Sequence, residues 1–87
     1  MALTFPNPSR SYDATRRAVR FWGYDRSMEA SFFISADALR NLQPDMLADE
    51  AHCLSAFDTN RDAICAAAAR VYGRGNKGSY DLAASDF

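Results

Sequence analysis

The chain has 87 residues, 48% of them apolar and 24% charged, with 10 basic against 11 acidic side chains. That length allows one domain, residues 1–87, since domains run to roughly 100–150 residues; the composition excludes a disordered polar chain. The near-neutral balance excludes a strongly basic nucleic-acid footprint, and no apolar run approaches the roughly 20 residues of a membrane-spanning helix.

A domain this small buries only about two-thirds of the surface its unfolded chain exposes. Burial against a second copy would supplement so thin a core. Residues 1–34 hold five Arg against three acids, and residues 35–73 hold three Arg against six acids. This is a mild dipole rather than a binding stripe. Residues 1–6 have neither a basic region nor a long apolar stretch, so no signal peptide is expected. The expectation is a cytoplasmic protein.

The first element in chain order is an extended lead-in carrying Pro6 and Pro8. A short strand over residues 11–14 follows, then a turn at Thr15, Arg16 and Arg17. Residues 18–24 and 28–34 are rich in β-branched and aromatic side chains, predicting two further strands joined by a turn at residues 25–27. Side-chain alternation assigns their faces. Val19 and Phe21, with Met28, Ala30, Phe32 and Ile34, should face the core. Arg20, Trp22 and Tyr24, with Glu29, Ser31 and Phe33, should face away from it.

Ser35 is placed to cap a short helix over residues 36–42, with Asp37 in its first turn and Pro44 beyond its end. Asp45 or Asp49 should open a long helix that runs to Tyr72 and stops at Gly73. Leu54, Phe57, Arg61, Ile64, Ala68 and Val71 recur at spacings of three and four, a stripe that should lie on the sheet. Residues 79–83 read as a last strand. The predicted architecture is α+β: a small antiparallel sheet in the order β-β-β-α-α-β with a long helix packed across one face.

Candidate chemistry is sparse. Gly73-Arg74-Gly75-Asn76-Lys77-Gly78 spells GxGxxG, but a helix precedes it and a strand follows, the reverse of the dinucleotide fingerprint. It reads as a helix stop and loop. His52 and Cys53 are helical neighbours whose side chains diverge, and Cys65 lies twelve positions from Cys53, about 18 Å along a helix. No metal set, no disulfide and no cofactor are expected, and the thiols should be reduced. Asp58 and Arg61, spaced i, i+3, are expected to pair, the alternative being that Arg61 reaches a loop carboxylate or an anionic ligand at the helix–sheet seam.

The set that stands out is Arg20, Trp22, Tyr24 and Phe33. Large aromatics beside arginine, on a sheet face turned from the helices, suit contact with a protein partner or a second copy of the chain. The alternative is intramolecular cover by Phe5, Phe87 or the short helix. Stacked single-stranded bases would also suit such a face, but a single lysine and a near-neutral charge argue against nucleic acid. The functional expectation is a non-enzymatic interaction or accessory domain. The rivals are a weak single-stranded nucleic-acid binder and a small enzyme whose site is assembled from distant residues, with His52 or a cysteine as its candidate group.

The runs Leu3-Thr4-Phe5-Pro6-Asn7, Ser11-Tyr12-Asp13, Val19-Arg20-Phe21-Trp22-Gly23, Met28-Glu29-Ala30-Ser31-Phe32-Phe33, Ala56-Phe57-Asp58 and Lys77-Gly78-Ser79-Tyr80-Asp81-Leu82 carry a resemblance. Together they make the chain similar, over nearly its whole length, to the bacterial domain-of-unknown-function family 1488. The resemblance implies a small bacterial α+β protein and carries no catalytic residues over to this sequence.

Overall fold

The chain is seen in a computed structural model that describes residues 3–5, 9–47, 49–73 and 79–87. The glycine-rich segment 74–78 lies outside the described residues. Its centre is a hairpin of β3 (Ala18–Asp25) and β4 (Met28–Ser35), paired antiparallel along their full length from Ala18↔Ser35 to Asp25↔Met28. Arg26 opens the tight turn with φ 60°, a left-handed conformation. Two short strands, β1 (Leu3–Thr4) and β2 (Arg10–Asp13), share the other edge of β3. β1 lies ahead of the extended lead-in expected over residues 5–9, where the sequence predicts no strand.

The α+β class holds, with two refinements. β5 (Ser79–Leu82) pairs parallel to β4, so the sheet is mixed rather than wholly antiparallel. The helical segment between these two strands is the long crossover that parallel neighbours need. The expected long helix is also divided, into α2 (Glu50–Thr59) and α3 (Arg61–Gly73). Asn60 stands between them at φ −107°, ψ 19°. Its side chain donates to the Ala56 carbonyl at 2.9 Å and to Gln43 Oε1 at 3.3 Å. Its own carbonyl accepts from Ile64 N, so one residue closes α2 and starts α3. Asparagine competes for backbone groups in this way and is a poor interior helix residue.

The predicted caps are present. Ser35 Oγ accepts from Ala38 N at the head of α1 (Ala36–Leu42), and Asp49 Oδ1 accepts from His52 N at the head of α2.

All three helices contribute to one core, on one face of the sheet. Phe21, Phe32 and Phe57 are fully buried, with ring centroids 5.4 Å apart for Phe21–Phe32 and 5.0 Å for Phe21–Phe57. Phe5 extends the cluster at 6.0 Å from Phe21, and Tyr80 at 5.3 Å from Phe32. From the predicted helical stripe, Phe57, Ile64 and Ala68 are buried, while Leu54 and Val71 are half-buried at its margin. Arg61, its polar interruption, lies with its guanidinium 5.2 Å from the Phe57 ring centre. Met28, expected in the core, is 70% exposed. It pairs with Asp25 beside the turn, at the tip of the hairpin.

Candidate functional site

Strand register builds the face opposite the helices. Arg20 lies across from Phe33, Trp22 from Ser31 and Tyr24 from Glu29. On β5, Asp81 stands beside Phe33 and Ser79 beside Ser31. Arg20, Trp22, Tyr24 and Phe33 therefore do share one face, as their alternation with Val19, Phe21, Phe32 and Ile34 required. Trp22 and Tyr24 are half-buried.

The proposed intramolecular covers go elsewhere. Phe5 and Phe87 pack against the core cluster, and α1 adds Ala36, Ala38 and Leu39 to it. Among the described residues, the helices and both terminal aromatics are thus committed to the inner face.

Polar groups bind this outer face into a connected surface. The Arg20 guanidinium lies 5.0 Å from the Trp22 ring centre and 5.8 Å from that of Phe33. Its Nη2 donates to Ser31 Oγ at 3.2 Å, and its Nε is shielded from water with no hydrogen-bond partner. Tyr24 donates its hydroxyl to Glu29 at 3.0 Å, which raises the phenol pKa above its ordinary value. Phe33 is only 9% exposed because Arg16 covers it, 4.2 Å from the ring centre. Arg16 also reaches Asp81 at 3.4 Å. A shallow cleft of about 350 Å³ opens beside this pair, between Ala18 and Ser35 on one side and Asp81 and Leu82 on the other.

Arg16 and Asp81 were not legible as members of the site. Arg16 sits in the β2–β3 turn, and Asp81 comes from the far end of the chain. Only the parallel docking of β5 on β4 brings them to Phe33.

The other candidate residues are dispersed. Cys53 is buried in α2 and Cys65 is half-buried in α3, both free, and burial pushes both thiols up in pKa. His52 Nδ1 lies 2.7 Å from its cap partner Asp49 on an exposed stretch of α2. Asp58, expected to pair with Arg61, forms a two-pronged pair with Arg10 instead. Arg61 contributes only its charge to lowering the Asp58 pKa. Among the described residues, no group of three His, Cys, Asp or Glu could hold a metal ion, and no helix is long and apolar enough to cross a membrane.

Such a structure defines an α+β protein built on one side of its sheet, with an aromatic and arginine-bearing face on the other. A family model described as a protein of unknown function, DUF1488, matches residues 3–82, and the chain belongs to that family. A DUF1488-family protein of unknown function from Shewanella loihica PV-4, in a crystal structure at 1.60 Å resolution, superposes with a TM-score of 0.81 at 18% identity. The match covers 92% of this chain and 90% of that chain, and at this identity it speaks for the fold. Curated proteins yield no match.

Proposed function

We propose that the chain is a non-enzymatic interaction domain that pairs with a second copy of itself through the outer sheet face. The observation that carries this reading is the order of groups along the hairpin. Glu29 with Tyr24 lies at one end, Trp22 with Ser31 in the middle, and Arg20 with Phe33 at the other end. A two-fold axis lying in the interface across the strands at Trp22 turns one end onto the other. Arg20 of one copy then faces Tyr24 of the other, with the Glu29 that Tyr24 holds beside it, and the two tryptophans meet at the centre. Self-complementarity of this kind is what an isologous interface requires. The desolvated Arg20 Nε gains an acceptor in that arrangement, and buried aromatics are the anchors that such interfaces use.

Nucleic acid fits the same face less well. Arg16 and Arg20 are already stacked on Phe33 and Trp22, and Arg16 is also engaged by Asp81, so little cationic charge is available for phosphates.

Sedimentation of the protein over a range of concentrations tests the proposal. Dimerisation is expected, weakened at least tenfold by Trp22→Ala and by Arg20→Glu, and recovered when Arg20→Glu is combined with Glu29→Arg. A wild type that stays monomeric at every concentration would overturn it. So would a Trp22→Ala variant that loses several kcal/mol of folding stability, since the indole would then be core.

A further inference from the structure

We propose that Arg16 is a second cation of the self-pairing face: its guanidinium, stacked on Phe33, receives the Glu29 carboxylate of the other copy. This rests on the face-to-face pairing proposed above, and it adds to that interface a group from outside the hairpin.

Strand register gives the placement. A two-fold axis across the strands at Trp22 and Ser31 lays positions equally far from that row over one another. Phe33 lies two residues beyond Ser31 and Glu29 two residues before it, so Phe33 of one copy faces Glu29 of the other. The surface presented there is not the bare ring. Phe33 points to the outer face yet is only 9% exposed, because the Arg16 guanidinium lies 4.2 Å from its ring centre. Sheets packed face to face stand about 10 Å apart. A ring with a guanidinium stacked on it fills a large part of that gap, and a glutamate reaching from the opposite sheet fills the rest.

Arg16 is held in place without being used up. Asp13 Oδ1 accepts from Thr15 N at 3.0 Å and from Arg16 N at 3.1 Å, which fixes the turn from which the side chain reaches. Its Nη1 donates to Asp81 at 3.4 Å, its Nε stands 4.0 Å from Asp13 Oδ2, and the side chain stays half exposed. A guanidinium carries five N–H donors, so an edge remains for one incoming carboxylate. A nucleic-acid backbone would need several free cations instead.

Glu29 is the matching acid. It is exposed, it accepts the Tyr24 hydroxyl on one oxygen, and among the described residues it makes no ion pair. Arg20 approaches the same carboxylate from beside it, with Nη2 already bound to Ser31. Two arginines of one copy thus flank one glutamate of the other, twice in the dimer. The face carries the acid and the bases at positions that the symmetry exchanges, and that complementarity names a second copy of this chain as the occupant.

Sedimentation over a range of concentrations, run as a double-mutant cycle, tests the pair. Arg16→Gln should weaken dimerisation about fivefold, the scale of a half-exposed ion pair that symmetry forms twice. Glu29→Gln should weaken it at least as much, and the double variant should be no weaker than Glu29→Gln alone. Arg16→Lys keeps the charge but loses the planar stack, so it should fall between Arg16→Gln and the wild type. It takes the place of Arg16→Gln in the cycle if that variant fails to fold. A wild type that dimerises through Trp22, with an affinity unmoved by the Arg16 variants or with losses that simply add, would overturn this inference and leave the pairing itself standing. A wild type that is monomeric at every concentration would overturn both.

Discussion

Arg10 of β2 and Asp58 of α2 form a two-pronged ion pair across 48 positions of sequence, Nε to Oδ1 at 2.9 Å and Nη2 to Oδ2 at 2.8 Å. It ties an edge strand to the helix above it. The pairing raises the Arg10 pKa and lowers that of Asp58, in each case chiefly through the hydrogen bonds themselves. Because Asp58 remains half exposed, solvent screening limits the gain, and Asp58→Asn should cost about 0.5–1 kcal/mol at neutral pH. A carboxylate with a depressed folded pKa stabilises the fold above its unfolded value of about 3.9, and that contribution fades as pH falls through the folded value. Denaturant unfolding at pH 7 and at pH 3 should therefore show the penalty of Asp58→Asn shrinking in acid.

Phe57 is the hub between α2 and the sheet, fully buried against Phe21. Phe57→Ala should cost about 3–5 kcal/mol, as other large aromatic truncations in cores do. An unfolding midpoint unchanged by the substitution would contradict this packing.

Gly23 lies where the N-terminal arm crosses β3. A Cβ there would stand 2.7 Å from Phe5 Cε2 and 3.2 Å from Leu3 Cδ1. Gly23→Ala should cost about 1–3 kcal/mol by forcing the Phe5 ring aside. The clash is with a side chain, so Gly23→Ala placed in a Phe5→Ala background should cost less. A double-mutant cycle measures that coupling, and strict additivity would show that Phe5 does not pack on Gly23.

Arg26 holds φ 60° at the hairpin turn. Non-glycine residues pay roughly 1–2 kcal/mol for that region. Glycine gives back part of the relief through its freer unfolded chain, so Arg26→Gly should be stabilising by about 0.5–1 kcal/mol. A lowered thermal midpoint would mean that the arginine side chain contributes more than its backbone strain costs.

Cys53 is fully buried, and desolvation raises its pKa. Only the thiolate reacts with disulfide reagents. In the folded protein at neutral pH, labelling of Cys53 should be far slower than in denaturant, with the half-buried Cys65 the faster of the two. Rapid labelling of Cys53 under native conditions would place it outside the core.

Local chemistry alone determined much of this protein. The two-residue alternation of residues 18–24 and 28–34 decided which side chains share a face, because successive strand residues must point opposite ways. Ser35 marked one helix start and narrowed the next to Asp45 or Asp49, because short side-chain oxygens reach the orphan amides of a first turn; the structure chose Asp49. The grouping of Arg20, Trp22, Tyr24 and Phe33 followed from alternation in the same way. The division of the long helix left a trace in the polar run around Asn60, whose side chain caps the helix instead of continuing it. Other features depended on contacts between residues far apart in the chain. The parallel placement of β5, the Arg10–Asp58 pair, and the arrival of Arg16 and Asp81 at Phe33 carry no local signature. An edge strand can hydrogen-bond in either direction, and an exposed arginine can reach several carboxylates. What selected among those options was the burial of Tyr80 and Leu82 against the shared core, and that burial exists only once the whole chain has folded.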